Sequence, residues 1–134
     1  MILVSTDPKR KLVKAQMSGL LTAADVADFA EKEREAVEAM GLGSGEFYLL
    51  IDTSQTLIQP QDVVSAFQDL VQNAVYKAKR IAVARKGSLT KSQTRRVLNV
   101  RDDTAIFDSI RDAERWLFSE AEDSAPTLLQ VASA

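Results

Sequence analysis

The sequence predicts a single α/β domain with a mostly parallel sheet and an antiparallel edge. Its 134 residues match the usual length of one domain. After two short apolar segments, the chain alternates between helical periodicity and further short apolar runs, which is typical of strand–helix units with a parallel sheet. One of these runs, "EFYLLID", has no polar–apolar alternation. That pattern is typical of a strand with helices on both faces.

The first half of the predicted domain is a hairpin followed by a helix. Residues 2–5 and 12–17 are short apolar segments, and residues 6–8 between them are turn formers, so we expect an antiparallel pair. Thr22 offers a side-chain oxygen to cap the next helix, and Asp25 three residues later completes a capping box. Apolar residues then recur at helical spacing until a glycine-rich segment ends the helix.

The middle of the chain contributes two strands and the most strongly amphipathic helix. Residues 48–52 form the predicted central strand, and Pro60 suits the first turn of a helix, where its missing N–H costs nothing. Apolar residues at helical spacing then continue to residue 75, which predicts a well-packed helix. Residues 80–84 are the next short apolar strand.

The last part of the domain repeats the pattern with shorter elements. Thr90 and Gln93 have the spacing of a capping box, which predicts a short polar helix to about residue 98. A strand over residues 104–107 and a helix capped by Ser109 complete a five-stranded sheet with about four helices. We place the domain boundary at residues 1–118 and expect the tail, residues 119–134, to be largely disordered.

Composition excludes several kinds of site. The chain has no cysteine and no histidine, which removes disulfides, thiolate nucleophiles, the commonest general base and the commonest metal ligands. We therefore predict no metal, no cofactor and no enzymatic activity. The N-terminus lacks the pattern of a signal peptide, and no apolar run is long enough to span a bilayer, so a cytoplasmic protein is expected.

Charge is unevenly distributed along the chain. The segment 77–101 contains nine basic residues and no acidic one, whereas acidic residues flank it on both sides. Lys91, Arg95 and Arg96 continue this basic run onto the short helix and are the candidate partner-binding residues. The segment contains no aromatic residue to stack a base, which argues against nucleic acid. An acidic surface of another protein, or of a second copy in a homodimer, fits better.

A candidate ligand site lies where two neighbouring strands end. Asp52 and Ser54 end the central strand, and Arg85, Lys86 and Ser88 follow the next one. Carboxyl ends of parallel strands gather at one edge, where ligands commonly bind, and the basic, glycine-containing segment suits a small anionic or lipid ligand. The alternatives are a turn-stabilising role for the first pair and a solvated basic surface for the other three residues.

Four segments resemble the bacterial SpoIIAA-like proteins, which are relatives of the STAS domains and include the anti-sigma-factor antagonists. The resemblance extends over about residues 2–118, and the segments contain no catalytic motif. They are "MSGLLTAADV", "FYLLIDTS", "KRIAVARKGSLTKSQTRRV" and "AIFDSIRDAERWL". The resemblance implies a STAS/SpoIIAA-like α/β domain that binds other molecules and does not transform them.

The sequence departs from these antagonists at their switch residue. The resemblance implies a phosphorylated serine at the start of the helix after the central strand, where residues 59–61 are Gln-Pro-Gln. The nearest hydroxyls, on Ser54 and Thr56, lie several residues earlier, which argues against phosphorylation. We therefore expect a non-catalytic regulatory or protein-interaction module that lacks the phospho-acceptor serine. The alternative is a small-ligand or lipid-binding protein that uses the carboxyl-end edge of the sheet.

Overall fold

The computed structural model describes residues 1–85, 88–99 and 101–124. These residues form five strands and four α-helices, and a single turn of 3₁₀ helix (Pro8–Arg10) joins the first two strands. The strands are β1 (Ile2–Asp7), β2 (Leu12–Gly19), β3 (Tyr48–Thr56), β4 (Arg80–Ala84) and β5 (Thr104–Phe107). The helices are α1 (Ala23–Ala39), α2 (Gln61–Asn73), α3 (Ser88–Leu98) and α4 (Ile110–Ser124).

The strands form one mixed sheet in the order β1-β2-β3-β4-β5. β1 pairs with β2 antiparallel, and every later pair is parallel. Each parallel step is a crossover through one helix, so the carboxyl ends of β2 to β5 meet at the same edge. The predicted fold class, with its antiparallel edge hairpin and about four helices, is confirmed.

The helices cover the two faces of the sheet unequally. Leu49 and Ile51 of β3 point towards α1 and α2, into a cluster with Phe29 and Val63. Leu50 points the other way, into a smaller cluster with Leu117 of α4. Alternate residues of a strand face opposite sides, so the non-alternating apolar run of β3 follows from burial on both faces.

Local signals placed most helix ends correctly. The backbone N–H of Asp25 donates to Thr22 Oγ1 at 3.1 Å, and the N–H of Thr22 donates to Asp25 Oδ2 at 2.9 Å, which is the predicted capping box. The N–H of Asp112 likewise donates to Ser109 Oγ at 3.1 Å at the start of α4. Gly41 follows α1 with a φ of 71°, a conformation that glycine adopts without steric cost.

Two expectations about helix ends need correction. α3 begins at Ser88, so Gln93 lies in the middle of the helix and the capping box predicted from Thr90 was wrong. α4 continues through Ser124, so residues 119–124 extend this helix, whereas the tail was expected to start at residue 119. The remainder of that tail, residues 125–134, lies outside the described residues.

Candidate ligand-binding cavity

A largely apolar cavity of about 100 Å³ lies between the sheet and the helices α1, α2 and α3. Residues of β3 and β4 line the cavity on the side of the sheet, and residues of α1, α2 and α3 line its other sides. The side chains that line it are mainly aliphatic and aromatic, as in typical small-molecule sites. They include Phe29, Ile51, Phe67, Val71, Val83 and Val97.

Strand alternation explains why one charged side chain enters this cavity at the sheet edge. Leu49, Ile51 and Thr53 point to the cavity from β3, and Ile81 and Val83 do so from β4. The next residue in the β4 series is two positions further on, and it is Arg85. Arg85 therefore follows the cavity-facing apolar residues of β4, and its guanidinium lines the cavity at the carboxyl ends of the strands.

Arg85 is 5 % exposed, and its hydrogen bonds are incomplete. Nη1 donates to the carbonyl of Thr53 at 3.2 Å and to the hydroxyl of Thr56, and Nη2 donates to the carbonyl of Leu57 at 3.4 Å. Nε is buried and has no hydrogen-bond partner among the described residues. No carboxylate among the described residues pairs with the Arg85 guanidinium. Burial lowers the pKa of Arg85 from its ordinary value.

A second buried charge lines the cavity from α1. Glu33 is 7 % exposed, and burial raises the pKa of its carboxyl to about 7, although the positive charge of Arg101 opposes the rise. Arg101 donates from Nη2 to the carbonyl of Ala78, which precedes β4. Glu33 therefore lies towards the amino ends of the strands, and Arg85 lies at their carboxyl ends. The two charged groups stand at opposite ends of an apolar space.

Two glutamine side chains join the elements around the carboxyl end of the cavity. The N–H of Gln59 donates to Gln93 Oε1 at 2.9 Å, and Gln93 Nε2 donates to the Gln59 carbonyl at 2.8 Å. Gln59 also donates from Nε2 to the Gly19 carbonyl at 3.0 Å and accepts at Oε1 from the N–H of Leu21 at 2.7 Å. Both glutamines line the cavity, so α3 is joined directly to the loop that follows β3 and, through the side chain of Gln59, to the end of β2.

The structure places the five predicted ligand-binding residues in different surroundings, and they do not form one site. Arg85 lines the cavity, whereas Asp52 lies beside Ala84 in the sheet, on the face that α4 covers. Asp52 Oδ1 accepts from the backbone N–H of Ser54 at 3.0 Å and from its hydroxyl at 2.7 Å. These two residues thus bond each other inside β3, where the pairing with β2 shifts register, and do not join the site around Arg85. Lys86 and the side chain of Ser88 lie outside the described part of the chain.

The predicted partner-binding residues have different surroundings. Lys91 forms a salt bridge with Asp108, which links α3 to the loop between β5 and α4. Arg95 and Arg96 occupy the last turn of α3 and are exposed. Neither of them has an ion pair within the described residues. The structure thus leaves two of the three predicted cations accessible on the surface.

Sequence reasoning missed Glu33 and the two glutamines. Glu33 continues the spacing of Val26, Phe29 and Val37, which are the buried residues of α1. The sequence alone therefore shows a carboxyl on the apolar stripe of this helix, and that position could have predicted the burial of Glu33. Gln59 and Gln93 gave no such signal, because their pairing joins segments 34 residues apart.

Neither a membrane-spanning helix nor an acidic metal-binding cluster is found among the described residues. No helix in the described residues is long and apolar enough to cross a membrane. The same residues contain no group of three or more acidic side chains placed to hold a metal ion.

Comparisons with known proteins identify the fold. A scan against protein-family models gave no match, and a search of curated proteins gave none either. Among solved structures, the chain matches the crystal structure of an uncharacterized protein of the DUF3478 family with a SpoIIAA-like fold from Shewanella loihica PV-4. The TM-score is 0.63 at 21 % sequence identity, and the match covers 87 % of this chain and 92 % of the other. With its five-stranded mixed sheet and four helices, the chain therefore has a SpoIIAA-like fold, as the sequence resemblance implied.

Proposed function

We propose that this protein is a non-catalytic binding module whose ligand is a small, largely apolar molecule held in the cavity between the sheet and α1 to α3. The observation that carries the proposal is the cavity itself, which has apolar walls and a buried charged group at either end. Well-packed cores contain few such spaces. Apolar pockets with a few placed polar groups are the usual form of small-molecule sites.

The absence of suitable catalytic groups favours binding over catalysis. The sequence has no histidine or cysteine, and Asp52 accepts hydrogen bonds from Ser54 within β3. Around the cavity, Glu33 and Arg85 are the charged residues described, and they stand at opposite ends. General acid–base catalysis requires groups within hydrogen-bond reach of the same reacting atoms, so this separation suits ligand orientation better.

A cavity-filling substitution tests the proposal. Val71 lines the cavity from α2, and Val71→Phe places a ring in the space that the ligand would use. We expect the affinity for 1-hexanol, a neutral apolar probe measured by calorimetric titration, to fall by roughly tenfold or more because the available volume is lost. The matched control is Val75→Phe, since Val75 is 70 % exposed and does not line this cavity.

Native mass spectrometry of the protein purified gently from its own host provides an independent test. We expect a reproducible added mass of small-molecule size on the unmodified protein and its loss in Val71→Phe. Failure of the unmodified protein to bind 1-hexanol, together with no added mass, would contradict the proposed function.

A second candidate role is protein binding through the end of α3. Arg95 and Arg96 are exposed and lack ion pairs within the described residues, although acidic segments flank this part of the chain. A complementary acidic surface, on another protein or on a second copy of this chain, would therefore be attracted to them. Reversing both charges with Arg95→Glu and Arg96→Glu should abolish salt-sensitive self-association in sedimentation experiments. Unchanged association would exclude this surface.

A further inference from the structure

Resting on the proposed function, we propose that the ligand of the cavity is a short-chain monocarboxylate. Its carboxylate pairs with the Arg85 guanidinium at the carboxyl ends of the strands, and its apolar chain extends towards Glu33. Two independent observations support this inference: the apolar cavity and a buried arginine that lines it with an unpartnered nitrogen.

The first step concerns the charge of Arg85. Its hydrogen bonds go to the neutral oxygens of Thr53, Thr56 and Leu57. A buried cation is costly when only neutral groups surround it, and an anion within hydrogen-bond distance offsets that cost. Charge-assisted hydrogen bonds to carboxylates are also the strong ones that arginine makes. A ligand carboxylate therefore supplies the negative charge beside Arg85 that none of the described residues provides.

The second step is that the Arg85 guanidinium has unused donor capacity at this end of the cavity, since among the described residues Nη2 makes one hydrogen bond of 3.4 Å and Nε makes none. The hydroxyl of Thr53 donates to the carbonyl of Ala84 at 3.0 Å, and the hydroxyl of Thr56 donates to the carbonyl of Thr53 at 2.7 Å. The side-chain amide of Gln93 is engaged with the backbone of Gln59, and the side-chain amide of Gln59 is engaged with the backbone of Gly19 and Leu21. The Nε–H of Arg85 remains without a partner in the described part of the chain.

The third step selects a carboxylate among anions. Arg85 is the one basic side chain among the described residues that line the cavity. A single guanidinium matches the charge of a carboxylate, whereas a phosphate dianion would bury a second negative charge without a partner. The apolar walls beyond Arg85 suit a hydrocarbon chain.

The fourth step sets the size and the orientation. The cavity measures about 100 Å³, and an engineered apolar cavity of about 150 Å³ holds benzene. The cavity therefore encloses a chain of roughly four carbons without movement of the helices. Because the cavity is partly open to solvent, a six-carbon probe fills it and extends into the opening. Arg85 is the one basic side chain described at the cavity, and Glu33 at the far end offers no positive charge, so the anionic head group lies at Arg85.

Three probes with one chain and different head groups test the inference on the unmodified protein. Hexanoate, 1-hexanol and hexylamine are titrated separately near neutral pH by calorimetry. We expect hexanoate to bind roughly tenfold tighter than 1-hexanol, because it adds a charged hydrogen bond in a buried site. Hexylamine is repelled by Arg85 and gains nothing from its charge even when its ammonium turns towards Glu33, so it should bind more weakly than hexanoate. Equal affinity for hexanoate and 1-hexanol would overturn the carboxylate assignment and leave the proposed function standing, whereas binding of none of the probes would overturn both.

Substitution of Arg85 provides the second measurement. Arg85→Met keeps the length of the side chain and removes its charge, so the preference for hexanoate over 1-hexanol should disappear. Arg85→Lys should retain a preference, because it restores a cation. Arg115→Met removes an exposed charge from α4, on the other face of the sheet, and is the matched control, with the preference unchanged. A folded Arg85→Met variant that still prefers hexanoate by the original factor would contradict the inference. If that variant does not fold, the comparison of probes on the unmodified protein decides.

Discussion

Glu33 shows how one residue on a helix can oppose the stability of the fold. It lies on the buried stripe of α1 with Val26, Phe29 and Val37. Those positions contribute to the core, whereas an ionised carboxyl in the same row must lose its hydration. Burial therefore raises its pKa from 4.5 to about 7. In the folded protein this carboxyl holds its proton at pH values where the unfolded chain has released it.

The first prediction concerns the pH dependence that follows. Between pH 4.5 and about 7 the folded protein binds the Glu33 proton more tightly than the unfolded chain, so stability falls as pH rises through this window. Glu33→Gln removes the ionisation. Above the window we expect its free energy of unfolding to exceed that of the unmodified protein by up to about 3 kcal/mol. Below the window the two proteins should be equally stable.

Urea unfolding at a series of pH values measures this difference. Glu35→Gln is the control, because Glu35 lies on the exposed side of the same helix. A constant difference between Glu33→Gln and the unmodified protein at all pH values would contradict the burial of an ionisable carboxyl.

Individual residues also show where sequence reasoning ends. The sequence predicted Asp52 and Ser54 either at a ligand site or as stabilisers of a turn, and the structure shows them bonded to each other within β3. The position of Glu33 on the apolar stripe of α1 could also have been predicted from the sequence. Arg85 could be placed at a strand end, but its entry into a cavity depends on which face the β4 alternation presents to α1 to α3. That orientation is a property of the assembled sheet.

At the scale of elements, α3 is held by side chains as well as by packing. Gln93 exchanges two hydrogen bonds with the backbone of Gln59, and Gln68 of α2 donates from Nε2 to the carbonyl of Arg96 at 2.9 Å. These bonds fasten a polar helix that has few apolar residues of its own. α3 therefore depends on specific polar contacts more than α2 does.

The second prediction tests this attachment. Gln93→Ala leaves the half-buried N–H and carbonyl of Gln59 without their partners, so we expect a loss of roughly 1–3 kcal/mol in the free energy of unfolding. Chemical denaturation measures it. Gln61→Ala is the control, because Gln61 makes an exposed 3.3 Å hydrogen bond to Ser65 and should cost little. Equal effects of the two substitutions would show that the Gln59–Gln93 pair is not important for stability.

Local sequence signals predicted the elements well, but they placed the start of α3 incorrectly. The capping box of Thr22 and the cap at Ser109 act within four residues, so the sequence contains all that determines them. Gln93 has the spacing of a capping residue relative to Thr90, but α3 has already begun at Ser88. Its amide instead serves a contact with a distant loop, which no local pattern reveals.

At the scale of the whole molecule, the two faces of the sheet are packed differently. On the α4 face, Ala82 and Ala84 of the sheet meet Ala113 and Leu117, all of them buried. Small residues on the strands let a helix approach closely and fill the interface. On the opposite face, three helices with larger side chains surround the cavity. The sequence predicts both layers, but periodicity alone does not distinguish a filled interface from a hollow one.

The third prediction follows from this division of the molecule. Leu117 is fully buried on the α4 face, so Leu117→Ala should lower the free energy of unfolding by roughly 2–5 kcal/mol through lost burial and a new void. Because the sheet separates Leu117 from the cavity, the protein that remains folded should bind 1-hexanol with unchanged affinity. Val71→Phe should show the reverse, with weakened binding and a smaller change in stability. Urea unfolding and calorimetric titration of both variants measure the two quantities separately. Loss of binding in folded Leu117→Ala would show that the α4 face also determines the shape of the cavity, and the separation of stability and binding between the faces would then be wrong.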